Sequence, residues 1–290
     1  MTFKEKIKAG KFLVTSEVGP DKGIHTERLL KGAELIRNKV DAINVTDLQS
    51  SIMRLGALTV SFLLKQNGFE PIYQLTCRDR NRLALQSDLL SAAALGIQNV
   101  LIATGDHPSL GDHPQAKPVF DLDSVQLIQV ARKLETGFDM QNNKLEGEPP
   151  KFCVGAVVNP GSFPLAPQIM KMDKKISAGA EFFQTQAVFD EKTFADFISK
   201  IKHVKVPIIA GVIILKSAGM ARYMNKHVAG VSVPQVLIDR MELSKDKVAT
   251  SIEIASLLIK QLKPMCQGIH VMSIGQDKIV PQVLEASGLA

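Results

Sequence analysis

The chain has no tryptophan, two tyrosines and three cysteines in 290 residues. Base-stacking platforms for nucleic acids need aromatic side chains set among clustered basic ones. Here aromatics are scarce, and the lysines behind the formal net charge of +6 are scattered singly, as in "ISKIKHVKVP" and "KLEGEPPK". A nucleic-acid groove is not expected; an acidic small molecule or an acidic partner protein stays open. Cys77, Cys153 and Cys266 form no CxxC pair and no Cys/His ligand spacing, so neither a disulfide framework nor a zinc or iron–sulfur site is encoded, and a reducing cytoplasm is the expected location. No apolar run nears the roughly 18 residues of a bilayer span. The lysine-rich N-terminus "MTFKEKIKAGKF" lacks the apolar stretch of a secretory signal. No GxGxxG follows a strand and no GxxxxGK[ST] occurs, which removes the Rossmann site and the P-loop.

What is present is an ordinary globular composition, 45% hydrophobic and 22% charged, arranged as a strict alternation. Eight short apolar or β-branched runs read as strands: 12–18, 42–47, 71–77, 99–106, 152–159, 182–189, 206–215 and 269–275. Between them lie segments with apolar residues at helical spacing, several ending in glycine, as at Gly68, Gly96, Gly137 and Gly179. Three more helical segments, "SAGMARYMNKHV", "PQVLIDRME" and "SKDKVATSIEIASLLIKQLKPM", follow the seventh strand. Strands buried on both faces read as continuous apolar runs, as parallel strands under crossover helices do. Eight such units predict an α/β fold of the (β/α)8 TIM-barrel type. The expectation is one domain over 1–290, with a short N-terminal helical lead-in and a polar insertion at about 138–151, on the face opposite the catalytic loops.

Ligand sites in such barrels form at the C-terminal ends of the strands. Those ends carry Glu17, Thr46, Asp47, Gln74, Thr76, Thr104, Asp106, Asn159, Gln184, Gln186 and Ser273. Several have simpler explanations. Asp47 and Asp106 serve equally well as helix N-caps, Gln184 and Gln186 could satisfy buried backbone, and threonines on strands are usually structural. Glu17 is harder to dismiss, because glutamate is a poor strand former and is almost never buried without a partner. The repeat "GDHPSLGDHP" (105–114) reads as a long loop rather than a metal site, and Lys174 and Lys175 read as solvated helix surface or, for a phosphate ligand, a clamp.

"TSEVGPDKG", "LTCRDRNR", "IATGDHP", "GAVVNPGSF" and "KKISAGAEFFQTQAVFD" occur in this order over about residues 10 to 280, and together they resemble methylenetetrahydrofolate reductase of the short prokaryotic type. The resemblance implies a flavin-dependent barrel that converts 5,10-methylenetetrahydrofolate to 5-methyltetrahydrofolate. It implies Glu17 as the acid that protonates N10, Asp106 as the acid that stabilises the resulting cation, and Gln186 as the amide on the pterin. Thr46, Gln74, Thr104, Gly105, Asp123 and Lys175 fall at or near flavin positions, with Gln74 standing where histidine is common. From the strand-end set, Gln184 joins Gln186 for the substrate, and Thr76 and Asn159 join the cofactor residues. The flavin implied is FAD by family habit, with FMN the alternative, and no metal is expected. Two carboxylates with opposed tasks need two environments, one drier than the other.

The loop after the seventh strand, "GVIILKSAGMAR", has Ala218 or Gly219 where nicotinamide-using members carry a phenylalanine. The electron donor is therefore either NAD(P)H or, favoured by that gap, an iron–sulfur partner subunit of the kind acetogens use. An oligomer or heteromer is expected. Other readings are a different barrel enzyme, such as an aldolase or pterin methyltransferase, and a non-catalytic flavin- or pterin-binding subunit.

Overall fold

The computed structural model describes residues 1–289. Its eight strands are β1 (Leu13–Val18), β2 (Ala42–Val45), β3 (Pro71–Thr76), β4 (Asn99–Ala103), β5 (Cys153–Val158), β6 (Phe182–Ala187), β7 (Ile208–Ile213) and β8 (Gly268–Met272). All pair in parallel with their sequence neighbours, and β8 returns to β1, closing a (β/α)8 barrel. Seven strands lie within the runs expected for them and β8 begins one residue before its run; all the runs but the first overreach at their C-terminal ends, where the chain leaves the sheet. The outer layer is α2 (Glu27–Leu35), α3 (Ala57–Gln66), α4 (Arg82–Ala94), α5 (Ser124–Glu135), α6 (Ala166–Ser177), α7 (Glu191–Lys200), α8 (Ala218–His227), α9 (Gln235–Leu243), α10 (Lys247–Leu262) and α11 (Val280–Ser287); α1 (Phe3–Lys8) precedes β1. Sequence reasoning missed α11, although Val280, Val283, Leu284 and Ser287 are buried at helical spacing. No helix among the described residues is long and apolar enough to cross a membrane.

Alternation along each strand sends every second residue inward. The lowest inward layer is apolar: Leu13, Ala42, Ile72, Leu101, Cys153, Phe182 and Ile209 form one buried cluster with Phe3. Space there is tight, since a Cβ at Gly155 would stand 2.2 Å from the Phe182 ring. One rung higher the lining turns polar, with Thr15, Asn44, Gln184 and His270. At the top stand Glu17, Thr46 and Thr76, all at least nine-tenths buried. The interior thus grades from hydrocarbon at the bottom to hydrogen-bonding groups at the mouth.

The bottom is closed by α1. Thr2 and Glu5 form a capping box that starts the helix, and Phe3 meets Phe182 edge to face with ring centroids 5.3 Å apart. Lys4 Nζ donates to the Phe152 carbonyl at 2.6 Å and pairs with Glu181, holding the helix against the lower rim. The segment 138–151 lies between α5 and β5, at this same lower end, with a single bridge between Phe138 and Lys144. Replacing Phe3 by alanine empties a fully buried ring position, so Phe3→Ala should cost about 3–5 kcal/mol of unfolding free energy in urea denaturation, with the fold retained.

Candidate active site

A cavity of about 410 Å3 opens at the C-terminal ends of the strands. β3, β4, β5 and β6 each carry one half-exposed rung there, namely Gln74, Ala103, Val157 and Gln186, whereas β1, β2, β7 and β8 are buried throughout. Eleven of the twelve residues assigned a site role from sequence line this cavity: Glu17, Thr46, Gln74, Thr76, Thr104, Gly105, Asp106, Asn159, Lys175, Gln184 and Gln186; of the other strand-end residues, Asp47 lines it and Ser273 does not. The twelfth, Asp123, caps α5. Its carboxylate accepts from Gln126 N at 2.9 Å in a capping box, while its charge still acts on Lys175.

Glu17 is 6% exposed. Its Oε2 stands 3.6 Å from Nε2 of His270, beyond hydrogen-bond reach. Below it, His270 Nδ1 meets the Thr15 hydroxyl at 3.0 Å, Gln184 Nε2 donates to the same hydroxyl at 3.3 Å, and Gln184 and Asn44 pair their amides reciprocally at 2.6 and 3.1 Å. These bonds span the barrel interior between β1, β2, β6 and β8. Gln184 is thereby engaged on both ends of its amide. At Gln186, whose amide oxygen accepts from Ala187 N at 2.9 Å, the strand bulges: β6 advances three residues from Gln184 to Ala187 while β7 advances two, from Ile209 to Gly211. The Thr185 hydroxyl fills the gap, donating to the Gln186 carbonyl and accepting from Gly211 N.

Asp106, in contrast, is exposed at the rim. Neither it nor Asp47 caps a helix. Asp47 accepts from Thr76 N, from the Thr76 hydroxyl and from Arg80, which locks the ends of β2 and β3 together. The Asp106 carbonyl accepts from Ser51 Oγ at 2.9 Å and from Arg78 Nη1 at 3.4 Å, and Arg78 also holds the Leu48 carbonyl. Gly105 has φ +90°, and a Cβ there would lie 3.1 Å from the Arg78 side chain and 3.2 Å from Thr76, so only glycine suits the turn that presents Asp106. Thr76 and Asn159 have structural bonds of their own, Asn159 bridging Ala229 O and Gly161 N. The Thr46 hydroxyl is buried with no hydrogen-bond partner among the described residues.

The repeat at 105–114 forms a loop in which Asp112 binds Lys22 and Met53 N. Among the described residues, no group of three or more His, Cys, Asp or Glu could hold a metal ion.

Of the two adjacent lysines, Lys174 is exposed and Lys175 is buried, donating to the Val157 carbonyl at 2.6 Å. Burial, reinforced by the charge of Lys171, lowers its pKa to about 8. Sequence reasoning missed His270, Arg78, Lys171 and Gln168. His270 follows Gly268 by two on an inward face, and Gln168, Lys171 and Lys175 share one face of α6, so both periodicities carried a signal.

Residues 2–288 match the family model described as methylenetetrahydrofolate reductase. The chain belongs to the methylenetetrahydrofolate reductase family. Among curated members of this family, it is 24% identical over 239 residues to methylenetetrahydrofolate reductase 2 of Schizosaccharomyces pombe, covering 74% of this chain and 35% of that one. It is 23% identical over 282 residues to a probable methylenetetrahydrofolate reductase (NADPH) of Caenorhabditis elegans, covering 91% and 39%. The chain therefore spans little more than a third of the length of these reductases. A solved structure of an uncharacterised Clostridium thermocellum protein shares the fold, with TM-score 0.65 at 19% identity, covering 99% of this chain and 98% of that one.

The low pKa of Lys175 has a signed consequence. Its folded pKa of about 8 lies below the ordinary 10.5, so the unfolded chain binds more protons between these values and stability rises with pH across that window. Chemical denaturation of the protein at pH 7.5, 9 and 10 should show that rise, and Lys175→Met should flatten it.

Proposed function

We propose that this chain interconverts 5,10-methylenetetrahydrofolate and 5-methyltetrahydrofolate by hydride transfer with a flavin as redox carrier. One feature carries the reading: two carboxylates on a single cavity in opposed surroundings, Glu17 6% exposed at the end of β1 and Asp106 open to water after β4. Opening the five-membered ring needs a proton at N10 near neutral pH, and a carboxyl set in dry surroundings with no cation in hydrogen-bond range suits that task. The ring opens to a cationic iminium, and a carboxylate at the rim stabilises it through its charge. Gln186, turned to the cavity by the bulge, is the amide for the pterin ring. Gln184, one rung below, keeps that floor rigid. A further support is that the Clostridium thermocellum protein of the same fold binds two copies of 5-methyl-5,6,7,8-tetrahydrofolic acid.

The residues present fit a flavin. The unpartnered Thr46 hydroxyl and the half-exposed Gln74 face a cavity whose far wall carries Lys171 and Lys175, a cationic pair suited to phosphate. Thr46, Gln74, Thr76, Thr104, Gly105, Asn159 and Lys175 would hold it, with Asp123 acting through its charge on Lys175. Bound flavin, once reduced, supplies the hydride. We take FAD as the flavin. Ala218 and Gly219 open α8 with no aromatic side chain to stack on a nicotinamide, which favours an iron–sulfur partner subunit as electron donor.

Glu17→Gln removes the proton donor while keeping the shape of the site. Oxidation of 5-methyltetrahydrofolate with a dye acceptor should fall about 10²–10⁴-fold, with flavin content unchanged by absorbance. Full turnover in that variant would take Glu17 out of the mechanism, and a colourless protein that gives no flavin on denaturation would refute the reading as a whole.

A further inference from the structure

The polar layer beneath Glu17 has a direction, and it ends at Glu17. Asn44 and Gln184 pair their amides reciprocally, and Gln184 Nε2 also donates to the Thr15 hydroxyl at 3.3 Å. That hydroxyl is fully buried, and its own hydrogen has one acceptor in reach among the described residues, Nδ1 of His270 at 3.0 Å. A buried hydroxyl uses its hydrogen, so Thr15 donates and Nδ1 accepts. A neutral imidazole carries one hydrogen, and with Nδ1 accepting, that hydrogen sits on Nε2. Nε2 is the nitrogen turned to Glu17, 3.6 Å from Oε2, and Glu17 has no other ion contact among the described residues. Thr15 and His270 are register partners across the closure of β8 onto β1, so the sheet itself fixes the hydroxyl beside the ring.

We propose that His270 is a positioning residue for ring opening: its Nε2–H turns the Glu17 carboxyl so that Oε1 faces N10, and it hydrogen-bonds Oε2 as the proton leaves. The inference rests on the function proposed above. In that step the proton passes from Glu17 to N10, the bond from N10 to the bridging carbon breaks with its electron pair on N10, and a negative charge is left on Glu17. At 3.6 Å the Nε2–H makes no hydrogen bond to the neutral carboxyl, and a closure of roughly half an ångström makes one to the carboxylate. An interaction that strengthens only as charge develops lowers the barrier without tightening substrate binding. A neutral donor does this without drawing the proton off the acid beforehand, as a cation in the same place would.

The test uses the flavin-loaded protein, reduced with dithionite, and follows reoxidation of the flavin by 5,10-methylenetetrahydrofolate in the absence of oxygen. His270→Leu should slow the saturated rate about 10–100-fold, the worth of one hydrogen bond to a charged group, and leave the half-saturating concentration within about twofold. His270→Gln, whose amide nitrogen takes the place of Nε2, should hold the rate within about threefold. His270→Asn, whose amide reaches only Thr15, should be as slow as His270→Leu, whereas a purely structural role would favour Asn over Gln. If His270→Leu does not fold, the Gln and Asn pair decides. Nitrogen-15 NMR of histidine-labelled protein, assigned with His270→Gln, should show the hydrogen on Nε2. A hydrogen on Nδ1, a His270→Asn variant as fast as His270→Gln, a full rate in His270→Leu, or a loss confined to substrate affinity each overturns the inference and leaves the function standing. A full rate in Glu17→Gln alone takes the acid out of the mechanism, and the inference falls with it.

Discussion

Everything at the mouth of this barrel depends on four polar side chains that cross its interior one layer below. Thr15, Asn44, Gln184 and His270 come from β1, β2, β6 and β8, and each is at most 3% exposed. Polar groups this deep destabilise a core unless they are bonded, and an incompletely satisfied network is worse than an apolar one. The reciprocal amide pair and the shared Thr15 hydroxyl meet that requirement, joining strands that are distant around the ring. With that layer rigid, Glu17 above it is held by a strand rather than by a loop and is only 6% exposed, and Thr46 stands one residue past the end of β2.

The opposite rim is built on a different principle. Asp106 sits in a loop, and its backbone is held by Ser51 and Arg78, which belong to two other loops. The segment that supplies Ser51 is under strain: Leu48, Ser50 and Ser51 all have φ between +46° and +58°. Non-glycine residues take that conformation at a cost, and such strain gathers at ligand clamps. Leu48, Gln49 and Ser50 line the cavity, so the strained loop and the exposed carboxylate form one rim, fastened by the buried guanidinium of Arg78.

The fold was legible in the sequence because parallel strands buried on both sides leave continuous apolar runs, and all eight could be found without any knowledge of family. The mouth was legible too, since Glu17, Gln74 and Gln186 are polar residues at the ends of such runs. The capping role of Asp123 could be read in "DSVQ", where Asp is followed three residues later by Gln. His270 was hidden because its partner Thr15 lies 255 positions away, and only closure of β8 onto β1 brings them together. Lys174 and Lys175 could not be told apart in sequence, since one residue of helical rotation decides which of them is buried. α11 was missed because Pro281 interrupts a short apolar pattern, although at the first turn of a helix proline is no obstacle.

The contrast between the two carboxylates follows from where each enters the fold. An acid on a strand end inherits the barrel's interior, where the layer below excludes water and its position is set to within a strand's stiffness. Asp106, on its loop, meets solvent and is placed only as well as neighbouring loops hold it. A reaction that gives two carboxyl groups different tasks can use that difference in surroundings directly. In this barrel both kinds of position open onto one cavity of about 410 Å3, so the chemical asymmetry comes from topology, from a strand end on one side and a turn through Gly105 on the other.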